Sequence, residues 1–173
     1  MRSHARLAAV LYLTAVGAYL LDRLTKLWAE NQLQGRAPIE LIGSTVRLDY
    51  TTNSGGAFGI GGSAPLLFAG ASLVVVGVIV WTSFRLPRIG VAIGLGLVLG
   101  GALGNLTDRI VRGPGVAGSV VDFIDVGPWP VFNLADSAIV IGAILLAFGA
   151  FRHARDDDPS PPTDTPEHPG AGT

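Results

Sequence analysis

Cysteine is absent from the 173-residue chain, which removes disulfides, thiolate nucleophiles and cysteine-based metal sites together. Histidine is scarce. His4, His153 and His168 all lie near the two ends, and no Gly-x-Ser-x-Gly elbow occurs, so Ser–His and Cys–His nucleophile schemes have no support. A metal centre wants clustered His or Cys beside carboxylates, and the middle of the chain offers only acids and amides, so neither metal nor cofactor is expected. Charge is thin as well. Only 14% of residues are Asp, Glu, Lys or Arg, against roughly 25% in a typical soluble domain. The net charge is -1 and no basic stripe is interleaved with aromatics, which argues against a nucleic-acid partner. What is abundant is apolar: 49% of residues are hydrophobic and 24 are glycine, the composition of an integral membrane protein.

Four stretches, at about residues 7–28, 64–84, 89–106 and 134–151, are apolar for long enough to cross a bilayer, which takes roughly 20 helical residues. Arg2 and Arg6 precede the first as they would in a cleaved signal peptide. The polar cluster Asp22-Arg23-Leu24-Thr25-Lys26 continues the helix instead, with no clear small-x-small cleavage site before it, so a retained helix is expected. The expected fold is therefore a membrane all-α bundle of four transmembrane helices over residues 1–152. Residues 153–173, rich in Pro and charge, are expected to form a disordered cytoplasmic tail. Arg2 with Arg6, Arg85 with Arg88, and Arg152 with Arg155 fall on one side of such a bundle. The positive-inside rule assigns that side, and both termini, to the cytoplasm, leaving the two long connections outside.

In the first long connection, Thr45 to Thr51 alternates apolar and polar residues, the period of a half-buried strand. Ile39 to Ile42 can pair with it across Gly43-Ser44, giving a small extracytoplasmic β-sheet built on a hairpin over about residues 39–52. Asn53-Ser54-Gly55-Gly56-Ala57-Phe58-Gly59 follows, with small residues that permit a tight turn. Gly96, Gly100 and Gly104 recur every four residues on one face of the third helix and point to close helix packing. At that helix's outer end Asn105, Asp108 and Arg109 share a face, and Asp22, Thr25 and Lys26 repeat the spacing on the first helix. Each cluster reads equally as a helix-end ion pair or as part of a site.

The stretch Val120–Ser137 delivers two more carboxylates to the same side, Asp122 after two β-branched residues and Asp136 one turn into the last helix beside Asn133. Asn133 suits a helix N-cap and Asp136 complements the helix dipole. Ionisable groups at a bilayer rim are expensive and point to function. Two neighbouring carboxyl groups do not both ionise cheaply, so one holds a proton while the other activates water for attack on an amide. On residue type alone, Asp108 and Asp125 stand beside Asp122 and Asp136 as members of such a pair. A proton-conducting transporter would instead spread its acids through the membrane depth, and a scaffold would tolerate their loss.

Read in order, Asp22-x-x-Thr25-Lys26, Asn53-x-Gly55-x-Ala57-Phe58, Gly100-Gly101-Ala102-Leu103-Gly104-Asn105-x-x-Asp108-Arg109, Val120-Val121-Asp122-Phe123 and Phe132-Asn133-x-Ala135-Asp136-Ser137 resemble the lipoprotein signal peptidases, also called type II signal peptidases. The likeness covers about residues 22–137, and the Gly-x-Gly-Asp motif of other membrane aspartyl proteases is missing. The resemblance implies an intramembrane aspartyl endopeptidase of the bacterial cytoplasmic membrane. Such an enzyme cuts prolipoproteins on the amino side of a diacylglyceryl-modified cysteine, works at the outer face as a monomer in membrane lipid, and is blocked by globomycin. It implies Asp122 and Asp136 as the catalytic pair. Asn53, Asn105, Asp108, Arg109 and Asn133 match residues that support the site or meet substrate, and Asp22 with Lys26 matches a structural motif. The loop Pro128-Trp129-Pro130 is a candidate lid, and Asp125 is an extra acid without a role.

Overall fold

A computed structural model of the chain describes residues 2–54 and 64–156. The glycine-rich turn after Ser54, with Gly56, and the chain beyond Asp156 where most of the expected tail falls, lie outside the described residues. Four α-helices are present among the described residues: α1 (Arg2–Leu33), α2 (Ala64–Thr82), α3 (Ile89–Val111) and α4 (Leu134–Asp156). Each is long and apolar enough to cross a membrane. Three outlast their expected spans. At 32 residues, α1 is roughly 48 Å long, well beyond a hydrocarbon core of about 30 Å. Its charged last turns do not end it because they are paired with α3. The third helix runs five residues past its expected end, and α4 continues to Asp156, into the segment expected to be tail. After α2, a single 3-10 turn at Ser83–Arg85 gives way to extended backbone at Leu86, the conformation that Pro87 imposes on its predecessor.

Helix α3 is the buried centre of the bundle, with α1 and α4 packed on it closely and α2 more lightly. The small residues explain how. A Cβ on Gly96 would lie 2.6 Å from the Leu11 carbonyl oxygen, and one on Gly100 2.5 Å from that of Ala15, so both glycines seat α3 against α1. Gly101 makes the same kind of approach to Ala135, and a Cβ on Gly142 of α4 would lie 2.6 Å from the Gly94 carbonyl oxygen. Below these contacts Leu11, Ala15, Ile79, Leu86, Ala92 and Leu99 form an apolar core. The other faces of α1, α2 and α4 turn Leu13, Leu20, Val74, Val78 and Ile144 outward, which is the surface hydrocarbon covers. The protein is a multi-pass membrane protein.

At one end sits a three-stranded antiparallel sheet, β1 (Ile39–Ile42), β2 (Val46–Asn53) and β3 (Val120–Val126), in that spatial order. The expected hairpin is there. Gly43 takes a φ of 48° and Thr45 N–H donates to the Ile42 carbonyl at 3.1 Å. The third strand was not anticipated, because Val120–Val126 is buried on both faces and lacks the alternation that marks a half-exposed strand. Its register sets Thr51 opposite Asp122 and Asn53 opposite Val120. Val121 and Phe123 pack on Ala29 and Leu33, so the overhanging end of α1 carries the sheet.

Candidate active site

The charges at the ends of α1 and α3 form one buried network rather than two local ion pairs. Lys26, fully buried, places its ammonium 2.9 Å from Asp22 Oδ2, 3.0 Å from Asp108 Oδ2 and 2.9 Å from Asn105 Oδ1. Asp108 also pairs with Arg23, lies 3.6 Å from Arg112 Nε, and accepts the Val121 N–H at 3.2 Å. It thereby ties α1, α3 and β3 together. Asp22 reaches the next element, accepting the Ala135 N–H at 2.9 Å and so capping α4 from another helix. Gly104 makes room for that carboxylate, since any Cβ there would run into Asp22 Oδ2. The Thr25 hydroxyl bonds within its own helix, to the carbonyls of Leu21 and Asp22.

In front of this network stand the two aspartates. From Val126 the chain turns at Gly127, whose φ is 54°, and returns so that Phe132 bridges Ile124. That return sets Asn133 beside Asp122, its Nδ2 donating to Asp122 Oδ1 at 2.6 Å. The Asn133 amide is oriented by the helix it caps. Its Oδ1 accepts the Asp136 N–H at 2.9 Å, which leaves only the NH2 to face Asp122. The backbone N–H of Asn133 donates in turn to Asp136 Oδ2 at 3.3 Å, so one residue contacts both carboxylates. Asn105 holds Asp136 from the other side, donating through Nδ2 to Oδ1 at 2.8 Å. Asn53 hydrogen-bonds Asp122 from β2.

Burial, and after it the negative charge of Asp136, pushes the Asp122 carboxyl up to about 6, against the pull of the Asn133 and Asn53 hydrogen bonds. Raised to that value, the Asp122 carboxyl can take up and release a proton close to neutral pH, which is what general acid and general base work requires.

Each aspartate opens onto a hollow. Asp136 lines one of about 410 Å³ between α2, α3 and α4, walled by Phe68, Val75, Ala102 and Ile139 and rimmed by Trp129. Asp122 lines a second of about 290 Å³ with Thr51 and Thr52. Asn53, Pro130 and Val131 line both. Arg109 projects into the larger hollow from α3. It is 8% exposed, its Nη1 donates to the Asn105 carbonyl at 3.1 Å, and its guanidinium sits 5.9 Å from the Phe68 ring centre. Its Nε has no hydrogen-bond partner among the described residues.

Of the residues expected from sequence, Asp122, Asp136, Asn53, Asn105 and Asn133 meet at the wall between the hollows, with Arg109 beside them. Asp22, Lys26 and Asp108 stand behind, and Asp108 lines neither hollow. Asp125 is engaged elsewhere. It pairs with Arg47, its cross-strand neighbour on β2, and three residues along a strand it projects from the face opposite Asp122. The sequence reading missed Arg23, Arg112 and Glu30, the last paired with Arg112 at the end of α1. Only Arg23 carried a signal, its place inside the polar cluster. The apolar walls carried none.

Known proteins resemble this chain in sequence and in fold. A sequence model described as signal peptidase (SPase) II matches residues 14–152. The chain is 48% identical over 148 residues to the lipoprotein signal peptidase of Streptomyces coelicolor, covering 85% of this chain and 72% of that protein. It is 48% identical over 143 residues to that of Streptomyces griseus, covering 80% and 71%. A solved structure described as a bacterial membrane enzyme, obtained by the in meso method at 2.3 Å, superposes with a TM-score of 0.75 at 25% identity, covering 88% of this chain and 93% of that one. With four helices long and apolar enough to cross a membrane, a sheet at one end, and a family match over residues 14–152, this chain belongs to the signal peptidase II family, membrane proteases that remove signal peptides from prolipoproteins.

Proposed function

We propose that Asp122 and Asp136 are the catalytic pair of an aspartic endopeptidase that cleaves prolipoproteins on the amino side of a diacylglyceryl-modified cysteine. The observation that carries this reading is the Asn133 side chain and backbone spanning both carboxylates at the wall shared by the two hollows. One carboxylate takes a proton from water as the water oxygen attacks the scissile carbonyl, while the protonated partner donates to the developing oxyanion. As the tetrahedral intermediate collapses, the C–N bond breaks and the amine leaves with a proton from the pair.

The apolar walls of the larger hollow suit a signal peptide helix arriving sideways from the bilayer between α2 and α4, with its lipid-modified end at the polar rim. Arg109, buried with its Nε unengaged among the described residues, is positioned to donate to a carbonyl of that substrate. Trp129, 69% exposed, sits at the rim where a lid would limit water. The arginine bias sets the sheet and the site on the outer face of the cytoplasmic membrane, with both termini inside. Globomycin is the expected inhibitor, occupying the same hollow.

The test is incubation of the purified protein in detergent with a diacylglyceryl-modified prolipoprotein and with the same precursor lacking the lipid. Mass spectrometry should find a new amino-terminal cysteine only on the lipidated product, and globomycin should suppress it. Equal cleavage of both precursors, or cleavage elsewhere, would remove the proposed specificity.

A further inference from the structure

We propose that Lys26 is a positioning residue for the aspartate pair, acting through the amide of Asn105. The proposal deepens the catalytic reading above and rests on it. An ammonium has three N–H donors and no acceptor; that of Lys26 donates to Asn105 Oδ1 and lies 2.9 Å and 3.0 Å from carboxylate oxygens of Asp22 and Asp108. Two carboxylates already compensate its charge. The third contact therefore has a different consequence: whichever atom of the Asn105 amide faces Lys26 must be the oxygen. Its NH2 is thereby committed to Asp136, where it donates at 2.8 Å. Asn133 adds a second donor to the same Asn105 oxygen at 3.2 Å, but that amide also serves Val121 and Asp122. Without Lys26 only that shared Asn133 donor holds the Asn105 oxygen in place, and where the amide turns over a donor to the Asp136 carboxylate becomes a repulsive acceptor.

The charged groups around this contact come from several elements. Asp22 and Asp108 lie behind Lys26, Arg109 shares the hollow with Asp136, and Asp122 stands across Asn133. The sequence of α2 contributes no charge. Lys26 itself lines neither hollow, and of its three partners only Asn105 donates to one of the two aspartates.

Two variants separate positioning from structure. Lys26→Met removes the donors and leaves Asp22 and Asp108 less compensated. Asp22→Asn with Lys26→Met removes an acid and a base together, and the amide oxygen introduced in place of the Asp22 carboxylate can still accept from the Ala135 N–H. In the paired variant we expect a folded protein with kcat lowered about 100-fold and KM within about threefold of wild type. The acid limb of its kcat profile should move up by about one pH unit, because a carboxylate that loses a donated hydrogen bond holds its proton more readily. An unchanged kcat and acid limb in the folded paired variant overturns the proposal. So does failure of both variants to fold, which would make Lys26 a residue of the scaffold alone. Asp122→Asn serves as control: if it retains activity the catalytic reading itself fails, whereas an inactive control beside an unaffected paired variant removes only the role of Lys26.

Discussion

The seam between α1 and α3 is built in two ways along its length. Its lower half is apolar and tight: Leu11, Ala15 and Leu99 close around Gly96 and Gly100, and the hydroxyls of Tyr12 and Ser83 pair at 3.0 Å alongside. Its upper half is a buried net of Asp22, Lys26, Asn105 and Asp108. In hydrocarbon, apolar side chains gain little by leaving lipid for one another, so small residues act by letting the backbones approach. That fixes a distance but scarcely a rotation. Directed bonds fix rotation, and they occur where Asn105 links Lys26 to Asp136. The lower seam holds the helices together; the upper seam orients them.

Each half can be broken separately. Asp108→Ala leaves Lys26, Arg23 and Arg112 without their common carboxylate, and loss of one partner from a buried ion network costs about 3–5 kcal/mol. Thermal unfolding in detergent should register it as the largest loss of stability among these variants. Titration comes next. The Asp122 carboxyl is held at about 6 in the fold against an ordinary 3.8. A group with a raised folded value stabilises fully below its unfolded value, and that contribution fades as pH rises through the folded one. The difference corresponds to roughly 3 kcal/mol lost between about pH 4 and pH 6. Melting curves across that window should flatten in Asp122→Asn.

In the lower half, Gly100→Leu forces a side chain against Ala15 and Ala18 and should destabilise by about 1–3 kcal/mol. Gly77→Leu on α2, where a Cβ meets nothing within 4 Å, should leave the melting point where it was. The smallest effect on turnover is expected outside both halves. Asp125→Asn breaks the pair with partly exposed Arg47, worth about 1 kcal/mol or less, and should keep turnover within about threefold of wild type.

Much of this was legible in the chain. The four spans followed from apolar length, the hairpin from alternation and Gly43, and the α3 glycines announced a packed face. The polar residues of the site stood out because buried charge in a membrane protein is rare. The connections between them were not legible. Nothing local says that Lys26 reaches Asn105, 79 positions away, or that Asp22 caps a helix 113 positions later. The face shared by Asn105, Asp108 and Arg109 is a property of one helix. Only the placement of α1 and α2 on either side sends Asp108 to the network and Arg109 to the hollow. Likewise β3 looked like any apolar run until its burial on both faces was explained by the end of α1 beneath it and the return at Phe132 beside it.

The account stands most directly on the two carboxyl groups bridged by Asn133. Single-turnover cleavage of a lipidated prolipoprotein, measured for Asp122→Asn and Asp136→Asn in preparations with wild-type-like melting, tests it. Each substitution should lower the rate by about 1,000-fold or more. Appreciable turnover in either folded variant would contradict the assignment.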